Sequence, residues 1–343
     1  MKQMHKKEEN NCINLIKGIA CMLVVFIHIT FPGKFGDYVY TFASIGVPIF
    51  FMISGYYAYS DDYNNMRIGA KRKLKNIVKL TCGAFLLYFV WRILYTILSG
   101  QTIISTIKEF TLKRIFTLLV INDVDVLKGA HLWFLVSLIY AYISLIFLSK
   151  SKKINIIYPI VLIAFVGRLF VCNQPNWHYI QNFWFDGFPF FYAGIWMKQY
   201  NKKIYQIKIA HTVLLFILGV ILCEAIYFTN ILNNRFVNIY EIGSIISSFM
   251  VFVFAQKCPD IGKNNLLTQI GKKYSMYIYI IHVIVLYFID IYDGKMTQKQ
   301  DVFSNVYLWI KPFLVFLISL LISVIYSKIK KNGIVKKERL KNE

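Results

Sequence analysis

The chain has 343 residues and a formal charge of +22, yet only 16% of its residues are charged and 57% are hydrophobic. Soluble domains average about 25% charged and roughly 45–50% apolar residues. The composition therefore excludes a disordered chain, and it leaves too little polar residue to cover a water-soluble body that binds nucleic acid. What remains is an all-α, polytopic integral membrane protein with its cations gathered in loops.

A helix needs about 20 mostly apolar residues to cross about 30 Å of hydrocarbon. In chain order, ten stretches meet this, near 12–31, 40–59, 77–98, 131–149, 155–172, 182–199, 209–229, 239–256, 274–292 and 305–327. Gly, Pro or polar residues interrupt the second, sixth and ninth. The first has a basic flank but no small-residue cleavage site after its apolar core, so it reads as a retained span and not a signal peptide.

Cytoplasmic segments of membrane proteins carry the excess of Lys and Arg. With the N-terminus in the cytoplasm, 27 of the 39 Lys and Arg residues fall in inner segments. Eight fall in outer loops: Lys34, Lys108, Lys113, Arg114, Lys128, Arg235, Lys295 and Lys299. Four lie at membrane depth: Lys17, Arg92, Arg168 and Lys311. This division predicts ten spans with both termini cytoplasmic and short basic tails near 1–11 and 328–343.

The long outer loop is 99–130. Within it, Ile103–Val120 has apolar residues at helical spacing interleaved with Lys108, Glu109, Lys113 and Arg114, which predicts an interfacial helix or a re-entrant cap. No internal repeat is visible, which weakens an inverted-repeat transporter. Cys12, Cys21, Cys82, Cys172, Cys223 and Cys258 are scattered, mostly in apolar runs and without a CxxC pair. They are expected to be buried small hydrophobes, with neither a metal site nor a disulfide framework.

Ionisable groups in hydrocarbon are functional candidates by default. Lys17 and His28 are eleven residues apart in the first span. Eleven steps of about 100° return to within about 20° of the same direction, and the rise is about 16 Å. Lys17 then lies near the cytoplasmic entrance, His28 in the outer half, and Asn14 close to the same stripe. Read alone, Lys17 also fits a lysine snorkelling to the inner headgroups. His28 fits either a satisfied structural imidazole or a general base that titrates near neutrality.

In the second span, Pro48 and the pair Ser54-Gly55 predict a kink and close helix approach. The inner run Arg67, Lys71, Arg72, Lys73, Lys75 and Lys79 suits topology, attraction to anionic lipid, or the phosphates of an anionic cytoplasmic cofactor. His131 and Trp133 open the fourth span, where an interfacial anchor is the simplest expectation. Ser275 and His282 share a face of the ninth span. Asp186, Glu224 and Glu241 are acidic groups at depth, expected to pair with Arg92, Arg168 or Lys311.

Four of these stretches together resemble the acyltransferase-3 family of integral membrane acyltransferases. They are Asn14-Leu-Ile-Lys17 with His28, Gly46–Tyr56 with the basic run after it, His131–Leu135, and Gly271–His282. The resemblance runs the length of the chain and implies a single membrane domain over 1–343. It implies transfer of an acyl group, commonly acetyl, from cytoplasmic acyl-CoA to a hydroxyl of an extracytoplasmic glycan, lipid-linked or small-molecule acceptor. His28 and Lys17 are then the catalytic candidates, with Lys17, Arg72 and Lys73 for the cofactor phosphates. Asn14, Ser54, His131, Trp133, Asn182, Tyr279 and His282 are the candidates for the substrate cavity.

Three departures stand out. Lys17 replaces the family's usual Arg, Asn14 its frequent Asp, and Gln181-Asn182 an Arg-Asn pair. The chain is also similar to the membrane portion of serine racemases from vancomycin-resistance clusters. That similarity keeps open a permease for a small molecule such as serine, working without acyl transfer. The expected location is a bacterial plasma membrane, and the Lys- and Ile-rich composition suggests a Gram-positive source.

Overall fold

The computed structural model describes residues 9–171, 177–228, 239–293 and 302–342. Most of the expected N-terminal tail, Cys172 and the outer-loop cations Arg235, Lys295 and Lys299 lie outside these residues. The described residues are helical and contain no strand. In chain order the α-helices are α1 (Asn11–His28), α2 (Gly33–Ala43), α3 (Gly46–Tyr56), α4 (Tyr63–Leu98), α5 (Ile103–Lys108), α6 (Leu112–Ile121), α7 (Trp133–Ser151) and α8 (Ile157–Val171). They continue as α9 (Phe188–Gln199), α10 (Asn201–Ile204), α11 (Ile209–Phe228), α12 (Ile239–Lys257), α13 (Leu266–Lys273), α14 (Ser275–Asp293) and α15 (Val302–Asn342). The chain divides into two compact units, one formed by Met1–Gly46 with Val251–Glu343 and the other by Val47–Met250.

In the first unit, α1 packs on α2, α13, α14 and α15. Asn10 starts α1 as its N-cap: its Oδ1 accepts the Ile13 N–H at 2.8 Å, and its Nδ2 donates to Ala255 O at 2.8 Å. The helix ends at His28, because Ile29 turns to extended backbone. Where α1 crosses α13, two glycines bring backbone against backbone. A Cβ on Gly18 would lie 2.1 Å from Leu267 O, and one on Gly271 would lie 2.0 Å from Asn14 O. Helices α13 and α14 meet at Tyr274 with an 86° bend. Near His28, Phe26, Phe31, Phe35, Trp309 and Phe313 form an aromatic cluster with ring centroids 5.1–6.1 Å apart.

In the second unit, α3 and α9 cross on Gly55 and Gly194. Each would press an added Cβ into the other helix's backbone, at 1.8 Å from Phe191 O and 2.0 Å from Met52 O. The small pair Ser54-Gly55 thus serves the close approach expected of it. Helix α4 has 36 residues, about 54 Å long and well beyond a bilayer core. Its apolar C-terminal part is the expected third span, and the basic run occupies its exposed N-terminal turns. The loop stretch 103–120 is helical but broken at Glu109–Thr111 into α5 and α6. Helix α5 and its C-cap hold on to α4 through Arg92–Glu109 at 2.6 Å and Thr96–Thr106 at 2.7 Å. The outward side chains of Ile104, Ile107, Leu112, Phe116 and Leu119 are exposed, as an element lying against lipid requires.

Among the described residues, six helical stretches are long and apolar enough to cross a membrane: Asn11–His28, Gly33–Tyr56, Tyr63–Leu98, Ala130–Ser151, Ile154–Val171 and Phe303–Asn332. The bent pair α13–α14 makes a seventh if counted as one span. These answer to the first five expected spans, the ninth and the tenth. The second begins earlier than expected, at Gly33, with its helix interrupted at Ser44–Ile45. The remaining three expected spans are less regular. Residues 182–199 form a π-helical turn, Phe183–Gly187, followed by the 12-residue α9. The apolar part of α11 covers Ile209–Ala225. Helix α12 carries Glu241, three serines and Gln256 along its 19 residues.

Candidate active site

Helix α1 is unbroken from Asn11 to His28, so Lys17 and His28 keep the face and rise that their spacing implies. Asn14 donates from Nδ2 to Glu9 Oε1 at 2.8 Å, and Glu9 Oε2 receives Lys272 Nζ at 2.5 Å. These bonds draw the start of α1 and the end of α13 into one polar cluster. Lys17 is half-buried just beyond it. Three turns further along, His28 is exposed at the helix end.

Against His28 stands His282 on α14, with ring centroids 5.1 Å apart and planes tilted by 48°. His282 is fully buried. Its Nδ1 lies 3.1 Å from Ile278 O, one turn back on the same helix. The Tyr279 ring is 6.2 Å from the His282 ring. Ser275 uses its hydroxyl on Gly271 O at 2.9 Å, and its own carbonyl accepts from Cys21 Sγ at 3.5 Å. The first unit therefore gathers Asn14, Lys17, His28, Tyr279 and His282 along α1, α13 and α14.

The other candidates belong to the second unit. Arg72 and Lys73 are exposed on α4. Ser54 donates to Phe50 O at 2.8 Å. His131 is buried with its Nε2 3.3 Å from the Tyr88 hydroxyl. Trp133 is buried against Phe51, with ring centroids 5.8 Å apart. Asn182 is 1% exposed and caps the π-helical turn. Its Oδ1 accepts the N–H groups of Trp184 and Phe185 at 2.8 and 3.2 Å, and its Nδ2 donates to His178 O and Tyr179 O at 2.8 Å each. Its amide is thus committed to holding the turn.

Two charged clusters complete the second unit. Arg168 sits between two carboxylates, with Nη1 2.6 Å from Asp186 Oδ1 and Nε 2.6 Å from Glu241 Oε2. All three are buried, and Arg168 also donates to Phe185 O at 3.1 Å. Arg168 thus takes two of the three acidic groups expected at depth. Arg92 pairs with Glu109, and Lys311, in the first unit, pairs with Asp290 at 2.8 Å. These last two partners lie nearer in sequence than the acidic residues expected for them.

The second cluster, Asp123, Asp125 and His178, was not among the sequence candidates. Its ligand-type atoms lie within 4.8 Å of one another, a donor set that suits a divalent ion. Its side chains are already engaged with one another and with Arg114. His178 Nε2 is 2.8 Å from Asp125 Oδ2, and Arg114 Nη1 is 3.2 Å from Asp123 Oδ2. It ties the loop after α6 to the segment before the π-helical turn. Of the cysteines, Cys12, Cys21 and Cys223 are buried as expected, whereas Cys82 is exposed and Cys258 is half-exposed.

A family model described as an acyltransferase domain matches residues 10–328. The chain belongs to the acyltransferase-3 family. The match runs through both units, and with several long apolar helices it supports a multi-pass membrane acyltransferase. No curated protein and no solved structure matches the chain.

Proposed function

We propose that the protein is an O-acyltransferase of the plasma membrane. It takes an acyl group, in the simplest case acetyl, from acyl-CoA on the cytoplasmic side. It delivers the group to a hydroxyl of a glycan, a lipid-linked intermediate or a small molecule on the other side. In this account the chain crosses the bilayer ten times with both termini inside. Spans 182–199, 209–229 and 239–256 are the irregular ones, and the cations divide 27 inside to eight outside as the positive-inside rule asks.

The observation that carries the proposal is the layout of α1. A half-buried cation and an exposed imidazole share one face of an unbroken helix about 16 Å apart. That length suits a cofactor whose phosphates sit at one end and whose thioester sits at the other. Lys17 would hold phosphate as a point charge, without the bidentate fork of an arginine.

His28 is the general base. Its lone-pair nitrogen takes the acceptor's O–H proton as the oxygen attacks the thioester carbonyl. The C–O bond forms, the C–S bond breaks, and the proton on the imidazolium leaves with the coenzyme A thiolate as a thiol. No residue of the chain needs to carry the acyl group in this direct transfer.

The test is transfer of labelled acetyl from acetyl-CoA in membranes that contain the protein. His28→Ala is expected to lower the rate by at least about 100-fold, the scale of general-base catalysis. Lys17→Ala is expected mainly to raise KM for acetyl-CoA. A His28→Ala rate within a few-fold of wild type would remove His28 from the chemistry.

A further inference from the structure

We infer that the cap made by α5 and α6 holds one chain of an anionic glycerophospholipid against α4, with the lipid's phosphodiester on Arg114. The inference concerns the second unit alone and does not depend on His28.

Helix α6 buries none of its ten residues, although its sequence Leu-Lys-Arg-Ile-Phe-Thr-Leu-Leu-Val-Ile is mostly apolar. It stands off α4 instead of packing on it. A cavity of about 400 Å³ lies between them, lined by Phe85 and Phe89 of α4, Phe110 between α5 and α6, Ile115 and Leu118 of α6, and Leu127. Its size falls within the range of about 300–1,000 Å³ typical of small-molecule sites. Both ends of the roof are fastened. Just before α6, Glu109 takes Arg92 at 2.6 Å, and the Phe110 ring meets Phe89 with centroids 6.1 Å apart. At the far end, Leu119 O accepts the Tyr140 hydroxyl at 3.1 Å and Val120 O accepts Trp184 Nε1 at 3.0 Å. Helix α6 therefore bridges a gap that the fold itself keeps open.

The lining says what fits there. A water needs about two to four polar partners to settle in a cavity, and this wall is hydrocarbon apart from Arg114. Leu86 of α4 and Leu112 and Phe116 of α6 are exposed, so the two helices that bound the cavity turn apolar surface outward and a chain can enter from the bilayer.

Charge decides the headgroup. The stem of Arg114 lines the cavity, and its guanidinium reaches past it, with Nη1 3.2 Å from Asp123 Oδ2 and the side chain 48% exposed. That bond uses one of five N–H donors. Lys113 stands beside it, exposed. Glu109 is matched by Arg92, and Asp125 is bonded to His178 at 2.8 Å. Lys113 and Arg114 against Asp123 then leave one positive charge over. A phosphodiester carries one negative charge, and the planar guanidinium fork suits its oxygens. An anionic lipid such as phosphatidylglycerol meets this surplus, whereas a zwitterionic lipid brings a cation of its own.

The test is native mass spectrometry of the full chain, released from micelles holding equal amounts of phosphatidylglycerol and phosphatidylcholine with identical chains. Wild type is expected to retain phosphatidylglycerol about fivefold over phosphatidylcholine, the scale of one basic residue at an anionic surface. Arg114→Gln should erase the preference and Arg114→Lys should keep most of it. Ile115→Trp, which fills the cavity, should lower retention of both lipids. In bilayers, phosphatidylglycerol with a diazirine near its chain end should label wild type mainly within 85–89 and 114–118, a readout that does not depend on how any variant folds. Equal retention of the two lipids by wild type would overturn the inference. So would labels spread evenly over α4, α11 and α15, or a polyprenyl phosphate retained in place of phosphatidylglycerol.

Discussion

Arg168 is held by Asp186 and Glu241, each at 2.6 Å, and all three side chains are buried. Removing one partner of a buried ion pair costs about 3–5 kcal/mol, because the group left behind remains charged in a poor solvent. The triad has one cation and two anions, so its members are unequal. Arg168→Met strands two like charges together and is expected to be the most damaging change. Asp186→Asn leaves a balanced pair and should be milder. Thermal unfolding in detergent, read as Tm, checks the order: Arg168→Met below Asp186→Asn below wild type.

The sequence predicted that the deep acids would meet the deep cations, since neither is tolerated alone. It did not predict which acid would meet which cation, because the choice depends on helix rotation, which spacing along one helix does not determine. Lys17 and His28 were legible for the opposite reason: a single regular helix fixes their relation. The meeting of His28 with His282, 254 positions apart, required α1 and α14 to pack, and no pattern within either helix announces that. Asn182 shows the same limit from another side. Its place at the start of an expected span was visible, but the π-helical turn that its Oδ1 caps and the preceding carbonyls that its Nδ2 binds were not.

Glycines set the contacts between elements. Gly18 and Gly271 let α1 and α13 touch along their backbones, and Gly55 and Gly194 do so for α3 and α9. An added methyl has no flexible side chain to push aside at these crossings. Gly18→Ala and Gly194→Ala are each expected to cost about 1–3 kcal/mol, as overpacking does. Gly69 on α4 is the control, since nothing lies within 4 Å of its Cβ position. Gly69→Ala should stabilise by about 0.5–1 kcal/mol through helix propensity alone. Melting curves of the three variants separate crossing glycines from incidental ones, and a destabilised Gly69→Ala would contradict the assignment.

Apolar periodicity made the long regular helices legible. It was weaker where the helix is interrupted, as at Ser44–Ile45, at the Tyr274 bend and at Phe183–Gly187. At these places hydrophobicity continues while the backbone changes direction, so composition alone cannot mark the break.

At the scale of the molecule, the proposed topology makes the charge of +22 an orientation signal first and a binding signal second. The basic run of α4 continues as helix beyond the length a bilayer core can cover, which puts those cations in water or at headgroups. Reporter fusions after residues 151 and 207 are expected to show a cytoplasmic location, and fusions within 122–129 the opposite one. A fusion series that places 67–79 outside would reverse the whole account.

The central claim is that acyl transfer runs from one side of the membrane to the other through His28. It is tested most directly with purified protein in sealed vesicles of known orientation, supplied with labelled acetyl-CoA on one face and an acceptor-bearing membrane extract on the other. Labelled acceptor should accumulate only when acetyl-CoA is given to the face that carries 67–79, and not with His28→Ala. Equal labelling from either face, or undiminished labelling by His28→Ala, would contradict it.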